Sequence, residues 1–166
     1  MLAYDRFDTA IGRIMLVKSA QGICYVGLPG SSISDAEAWA HRHFPGEGLV
    51  HDPKRLGPER RELQEYTQGR RHQFSFRTDH RNSPFAREAL TAVSRIPFGQ
   101  TDSYRNIARR ISRPNASRAV GRAVATNPLP LVIPCHRVVG SDGSLTGYGG
   151  GLPLKQTLLK LEARSV

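Results

Sequence analysis

Cysteine is scarce in this chain of 166 residues, with Cys24 and Cys135 the two present. Two thiols so far apart do not make the framework of bridges that staples small secreted domains, so reduced thiols in an intracellular compartment are expected. Long apolar runs are missing too; none approaches the roughly 20 residues that span a bilayer. The opening Met1-Leu2-Ala3-Tyr4-Asp5-Arg6 lacks the charged-then-apolar pattern of a secretion signal, and a cytoplasmic protein with no membrane partner is expected. Metal-ligand spacing is absent as well. No second cysteine lies near Cys24, and His41, His43, His51, His72 and His80 form no ligand pattern, so Cys24 is expected in a core and no metal is expected.

The most informative gap is one of charge. Between Ser103 and Ser141 there is no acidic residue, whereas seven arginines occupy that stretch: Arg105, Arg109, Arg110, Arg113, Arg118, Arg122 and Arg137. Residues 1–82 hold 12 Lys+Arg against 10 Asp+Glu, a net of +2, and residues 83–166 hold 12 against 4, a net of +8. A surface of that kind attracts polyanions and gains free energy by releasing phosphate counterions. A solvated basic face without a partner is the plainer alternative for a short charge run. Here no acidic residue offsets the run, and it borders Cys135.

What is present sorts into two units. Residues 2–7, 12–17 and 22–28 alternate over strand lengths with short connections between them, which predicts an antiparallel meander. Residues 34–45 predict a helix started by Ser34 or Asp35, residues 46–57 a loop, residues 58–68 a second helix stopped by Gly69, and residues 72–76 a further strand. The polar stretch 77–83 ends before Pro84. The expected organisation is an α/β domain with a small antiparallel sheet over residues 1–78, a linker at 79–83, and a mostly α domain over 84–166.

In that second domain residues 85–96 place Phe85, Ala89, Ala92, Val93 and Ile96 on one helical face. Residues 103–111 predict a short helix, the turn Ser112-Arg113-Pro114-Asn115 breaks it, and residues 116–125 predict another helix capped by Asn115. Two short helices joined by such a turn have the outline of a helix-turn-helix. The second carries Arg118 and Arg122 one turn apart, while Ala119 and Gly121 keep it slim enough for a groove or for tight helix packing.

The chemistry centres on Pro134-Cys135-His136-Arg137. A thiol is a good nucleophile as thiolate, and a neighbouring base or cation makes that form available. His136 and Arg137 offer such surroundings. A bare Cys-His pair is equally well a buried structural cysteine followed by a surface histidine.

The wider pattern resembles the O6-alkylguanine-DNA alkyltransferase family: Leu131-Val132-Ile133-Pro134-Cys135-His136-Arg137-Val138-Val139, with Tyr148-Gly149-Gly150-Gly151 behind it and Ser117-Arg118-Ala119-Val120-Gly121 ahead. The likeness is strong over residues 84–162 and weaker before it. It implies a ribonuclease H-like first domain and a winged-helix-like second one. It also implies that Cys135 accepts an alkyl group from guanine in double-stranded DNA after the damaged nucleotide is flipped out of the stack. By the same resemblance His136 is the base, Glu162 orients it, and Asn127 is a hinge tying the recognition helix to the Cys135 turn. Arg118 fills the vacated stack, and Tyr104 crowds the rotated phosphate and donates a proton to the departing base. Ser103, Ala119, Gly121 and Arg122 complete the DNA contacts, and Pro130, Val138, Tyr148, Gly149 and Gly150 line the pocket.

The product implied is a thioether that nothing regenerates, so each molecule reacts once; the resemblance also implies no cofactor, because the alkyl donor is the DNA, and a monomer with no obligate protein partner. Leu90 stands where many relatives have Trp, and Gly140 where some have a second Cys. Neither touches this chemistry. Two other classes fit parts of the pattern. A helix-turn-helix regulator with a redox-sensing thiol leaves Glu162 and the glycine run without a purpose, and a cysteine hydrolase has no use for seven arginines.

Overall fold

The protein is described by a computed structural model over residues 1–165. It divides into two units, the first Met1–Arg81 and the second beginning at Asn82.

In the first unit β1 (Leu2–Thr9) and β2 (Gly12–Lys18) form an antiparallel hairpin, with Thr9 opposite Gly12. β3 (Ile23–Gly27) continues the meander against β2. α1 (Ile33–His43) starts with a capping box, in which the Ser32 hydroxyl accepts from the Asp35 N–H and the Asp35 carboxylate accepts from the Ser32 N–H. Its buried Ala36, Trp39 and Ala40 pack with Leu2, Met15, Val17 and Cys24, so the first cysteine is a core residue. Burial pushes its thiol up to about 12.

Three local expectations give way in this unit. β4 (Leu49–His51) lies within the stretch expected to be loop and pairs parallel to β1, so the sheet, in the order β3-β2-β1-β4, is mixed rather than antiparallel. Three residues are too few to show a period, and α1 supplies the crossover that a parallel neighbour needs. Next comes α2 (Gly57–Thr67), after a 3-10 turn at Lys54–Leu56. Residues 72–76 then form no strand. The Ser75 N–H donates to the Glu62 carboxylate at 2.8 Å, and the Phe74 ring makes tilted contacts with Tyr66 and Phe76 instead of the segment taking part in a ladder. The stretch expected to open the linker is tied to β3: Ile23 N–H donates to Arg77 O at 3.0 Å and Asp79 N–H to Ile23 O at 2.8 Å.

The second unit opens with α3 (Pro84–Ser94), capped by the Ser83 hydroxyl and burying Ala89, Leu90, Ala92 and Val93. β5 (Asp102–Ser103) leads directly into α4 (Tyr104–Arg110), whose N-cap is Ser103 accepting from Asn106 N–H. The turn after α4 includes Ser112 at φ 61°. α5 (Ser117–Ala125) buries Val120, Ala123 and Val124 and leaves Arg118 and Arg122 exposed. Its N-cap residue is Ala116, with no side-chain cap, so Asn115 does not perform the capping expected of it. A 3-10 turn at Cys135–Arg137 precedes β6 (Val138–Val139), which pairs parallel to β5. α6 (Leu152–Arg164) closes the unit and buries Lys155, Leu158, Leu161 and Glu162. Among the described residues no helix is long and apolar enough to cross a membrane.

Candidate active site

The turn bearing Cys135 is built by the chain leaving α5. Pro128, Pro130 and Pro134 remove three backbone donors from a segment that is almost entirely buried, which leaves fewer groups to satisfy there. Asn127 satisfies two of the rest: its Nδ2 donates to Ile133 O at 3.1 Å and its Oδ1 accepts from Leu129 N–H at 2.9 Å. Between these anchors Leu131 is held at φ 72°, a left-handed conformation that costs a non-glycine residue about 1 kcal/mol. Its side chain is 1% exposed, so packing of the leucine opposes that cost. Cys135 follows, 4% exposed, with its N–H on Ile133 O at 2.7 Å.

His136 is fully buried rather than at the surface. Its Nε2 lies 2.7 Å from Glu162 Oε2. Arg137, also buried, grips the same carboxylate with Nε to Oε1 at 2.8 Å and Nη2 to Oε2 at 2.9 Å. Its Nη1 donates to Ile96 O at 2.7 Å, and its guanidinium lies 5.6 Å from the centre of the Phe98 ring. Gly99 N–H adds a fourth donor to Glu162, at 3.3 Å.

This arrangement corrects the expectation that His136 and Arg137 surround the thiol with positive charge, since both are turned to Glu162. Burial pushes the Cys135 thiol up, and the groups that draw it back are the Asn127 amide, its own backbone N–H, Lys155 and the Tyr148 hydroxyl. His136 is pushed down by burial, against the pull of Glu162 and with Arg137 and Lys155 adding to the push. Both shifts favour the uncharged form of the group concerned. Tyr148 is also pushed up, first by burial and then by the thiol beside it. Lys155 is 0% exposed, and its ammonium donates to Val138 O at 2.7 Å and Thr146 O at 3.2 Å.

Beside this cluster opens a cavity of about 590 Å³. α5 supplies one side with Ser117, Arg118, Gly121 and Ala125, and the other side carries Tyr104 with the stretch from Thr146 to Gly149. Tyr148 is thus both a wall of the cavity and a neighbour of the sulfur, so the thiol sits one side chain in from the opening. Thr146 donates its hydroxyl to the Tyr104 oxygen at 2.8 Å. Arg118, Gly121, Tyr104, Tyr148 and Gly149 thus share the cavity, whereas Pro130 and Val138 are buried and not on its walls. Gly150, Ser103, Ala119 and Arg122 are off the walls too, Arg122 being exposed one turn beyond Arg118. Among the described residues no group of three His, Cys, Asp or Glu side chains is placed to hold a metal.

The role of Lys155, which the resemblance puts near the pocket without assigning it one, the part of Thr146 and the clamp made by Arg137 escaped the sequence. A signal for the first existed: Lys155, Leu158 and Glu162 follow i, i+3, i+7 spacing, which puts the lysine on the buried stripe of α6.

The 6-O-methylguanine DNA methyltransferase DNA-binding domain profile matches residues 84–164. The chain is 40% identical over 150 residues to the inducible methylated-DNA–protein-cysteine methyltransferase of Bacillus subtilis (strain 168), covering 90% of this chain and 84% of that one. This chain belongs to that family. The methylated-DNA–protein-cysteine methyltransferase of Mycolicibacterium paratuberculosis is 46% identical over 117 residues, which are 70% of this chain and 71% of the relative. The architecture, an α/β unit and a helical unit, is shared with Mycobacterium tuberculosis OGT in complex with DNA, at a TM-score of 0.86 and 32% identity over 99% of this chain and 94% of that one.

Proposed function

We propose that this protein repairs DNA by direct reversal, moving the alkyl group of O6-alkylguanine in double-stranded DNA onto its own Cys135 in a single irreversible step. The observation that carries this is one buried thiol, bonded by Asn127 and Tyr148 and within the field of the Lys155 ammonium, set behind Tyr148 on the wall of a cavity that the arginine-bearing α5 also lines. The protein acts as a monomer inside the cell.

α4, the turn after it and α5 work as a helix-turn-helix, with α5 in the groove and the basic run on the phosphates. An oxygen at the guanine 6-position is inside the stacked duplex, so the nucleotide must swing out to reach the cavity. Arg118, exposed at the cavity's edge, takes the vacated place in the stack. Small residues at Gly121, Gly147 and Gly149 let the rotated nucleotide approach the backbone.

As the base enters, His136 takes the Cys135 proton, directly or through a water, and Glu162 stabilises the imidazolium that forms. The sulfur attacks the alkyl carbon and forms a C–S bond while the carbon–O6 bond breaks. The guanine leaves with the bonding pair and takes a proton from the Tyr104 hydroxyl. The thioether formed has no leaving group, and turnover ends there.

The test is mass spectrometry of the protein after incubation with O6-methylguanine DNA. A permanent gain of one methyl group mapped to Cys135 is expected, with Cys135→Ala still binding DNA and gaining nothing. A folded wild-type protein that shows no gain removes the proposal.

A further inference from the structure

Tyr104 and Thr146 both wall the cavity, and one hydrogen bond joins them, the Thr146 hydroxyl donating to the phenol oxygen at 2.8 Å. Both ends of that bond are held. Tyr104 opens α4, and its ring lies over α5 at Gly121, where an added Cβ would come 3.9 Å from ring atom Cδ1. Thr146 is fixed through its carbonyl, which accepts from the buried Lys155 ammonium at 3.2 Å. Among the described residues the phenol has no acceptor for its own proton.

A phenolic O–H lies in the plane of its ring and has two positions, one on each side of the C–O axis. A donor arriving on one side leaves the other for the proton. The cavity wall thus carries a tyrosine whose oxygen is engaged by Thr146 and whose hydrogen is free to meet a ligand. The bond also changes in strength during the reaction. When the departing guanine takes the Tyr104 proton, the O–H bond breaks and its electron pair stays on the phenol oxygen as negative charge. A hydrogen bond to a charged oxygen is about twice as strong as one to a neutral oxygen, so Thr146 holds the phenolate more tightly than the phenol. We propose that Thr146 is a positioning residue for Tyr104, aiming the phenol's single proton into the cavity and stabilising the phenolate until water returns a proton to it.

The inference rests on the proposed transfer to Cys135 with Tyr104 as proton donor, and the parent and Tyr104→Phe proteins test that footing by themselves. First-order transfer is measured in a single turnover at saturating O6-methylguanine DNA. Thr146→Val keeps the shape of the side chain and removes the hydroxyl. It should transfer roughly tenfold more slowly, the factor by which a charge-assisted hydrogen bond outweighs a neutral one. Thr146→Ser, which restores a donor, should recover most of that rate. A side chain that only fills space gives the opposite order, since valine matches threonine in size better than serine does. Thr146→Val combined with Tyr104→Phe should be no slower than Tyr104→Phe alone, because the hydroxyl acts through the phenol. If the parent transfers and Thr146→Val matches or exceeds it, the tyrosine donates to the threonine instead, and the inference is overturned while the transfer stands. Losses that multiply in the double variant overturn it as well. A parent that gains no alkyl group removes the proposed transfer, a Tyr104→Phe protein as fast as the parent removes the proton donor, and either takes the inference with it. Should Thr146→Val fail to fold, Thr146→Ala replaces it in the same cycle.

Discussion

Lys155 lies two turns before Glu162 on α6, and its buried ammonium holds the carbonyls of Val138 and Thr146 while adding positive charge next to the Cys135 thiol. One side chain thus joins the strand after the nucleophile's turn to the cavity wall. The same cation is pushed down by burial and held up by the thiol. Replacing it with a chain of similar shape and no charge, Lys155→Met, removes a group that lowers the Cys135 thiol. The midpoint for reaction of that thiol with iodoacetamide should move to higher pH, and one buried and one half-buried carbonyl left without this donor should cost about 2 kcal/mol of stability. Thiol titration and urea denaturation measure the two effects. An unmoved midpoint in a folded variant removes the electrostatic role.

Glu162→Gln leaves Arg137 buried without its counter-charge. Breaking a buried pair by removing one partner costs about 3 kcal/mol or more, because the surviving charge keeps its desolvation penalty. Denaturant unfolding should register that loss. A variant as stable as the parent contradicts the pairing.

Asn127→Ala removes the bonds to Ile133 O and from Leu129 N–H and should cost about 2 kcal/mol. Asn127→Asp is the sharper variant. It keeps the acceptor for Leu129 but can no longer donate, and it puts negative charge where an amide now stabilises sulfur. Transfer by Asn127→Asp should be slower than by Asn127→Ser, measured at saturating DNA.

His136 is buried and pushed down, which fixes the sign of an acid effect. Below the ordinary histidine value of about 6.5 the unfolded chain takes up a proton that the folded chain refuses, so stability falls as the pH drops from there towards the folded value. Asp79 acts lower on the scale: burial raises it, but bonds from Arg81 and Ser19 outweigh burial and hold it down. Its contribution is present above about 4 and lost as the pH falls through the lowered value. Unfolding free energies at a series of pH values should show both losses, and His136→Gln should flatten the first.

Arg118 and Arg122 lie one turn apart on α5, but Arg118 alone of the two walls the cavity. Arg122→Ala should weaken DNA binding and lower the salt slope by about 1, the effect of one lost phosphate contact, without slowing transfer at saturation. Arg118→Ala should slow the transfer itself. Equal first-order transfer by Arg118→Ala and the parent would falsify its assigned place in the emptied stack.

The sequence alone determined the local elements and the chemical inventory. Helices α3 to α5 follow from apolar spacing and from the break at Pro114 between the last two. The meander of β1 to β3 follows from alternation, and the uneven charge and the adjacency of Cys135 and His136 can be counted directly. Tertiary structure decided the rest. β4 and the β5–β6 pair are two or three residues long and exist because a distant strand presents its edge to them. Arg137 and Glu162 are separated by 25 residues, and Lys155 reaches Val138 across 17. Local periodicity reports which face of a helix is buried but not which group waits on the other side. Only the folded packing therefore shows that the charges nearest the thiol in sequence are engaged by a carboxylate, and that a lysine from the last helix stands in their place.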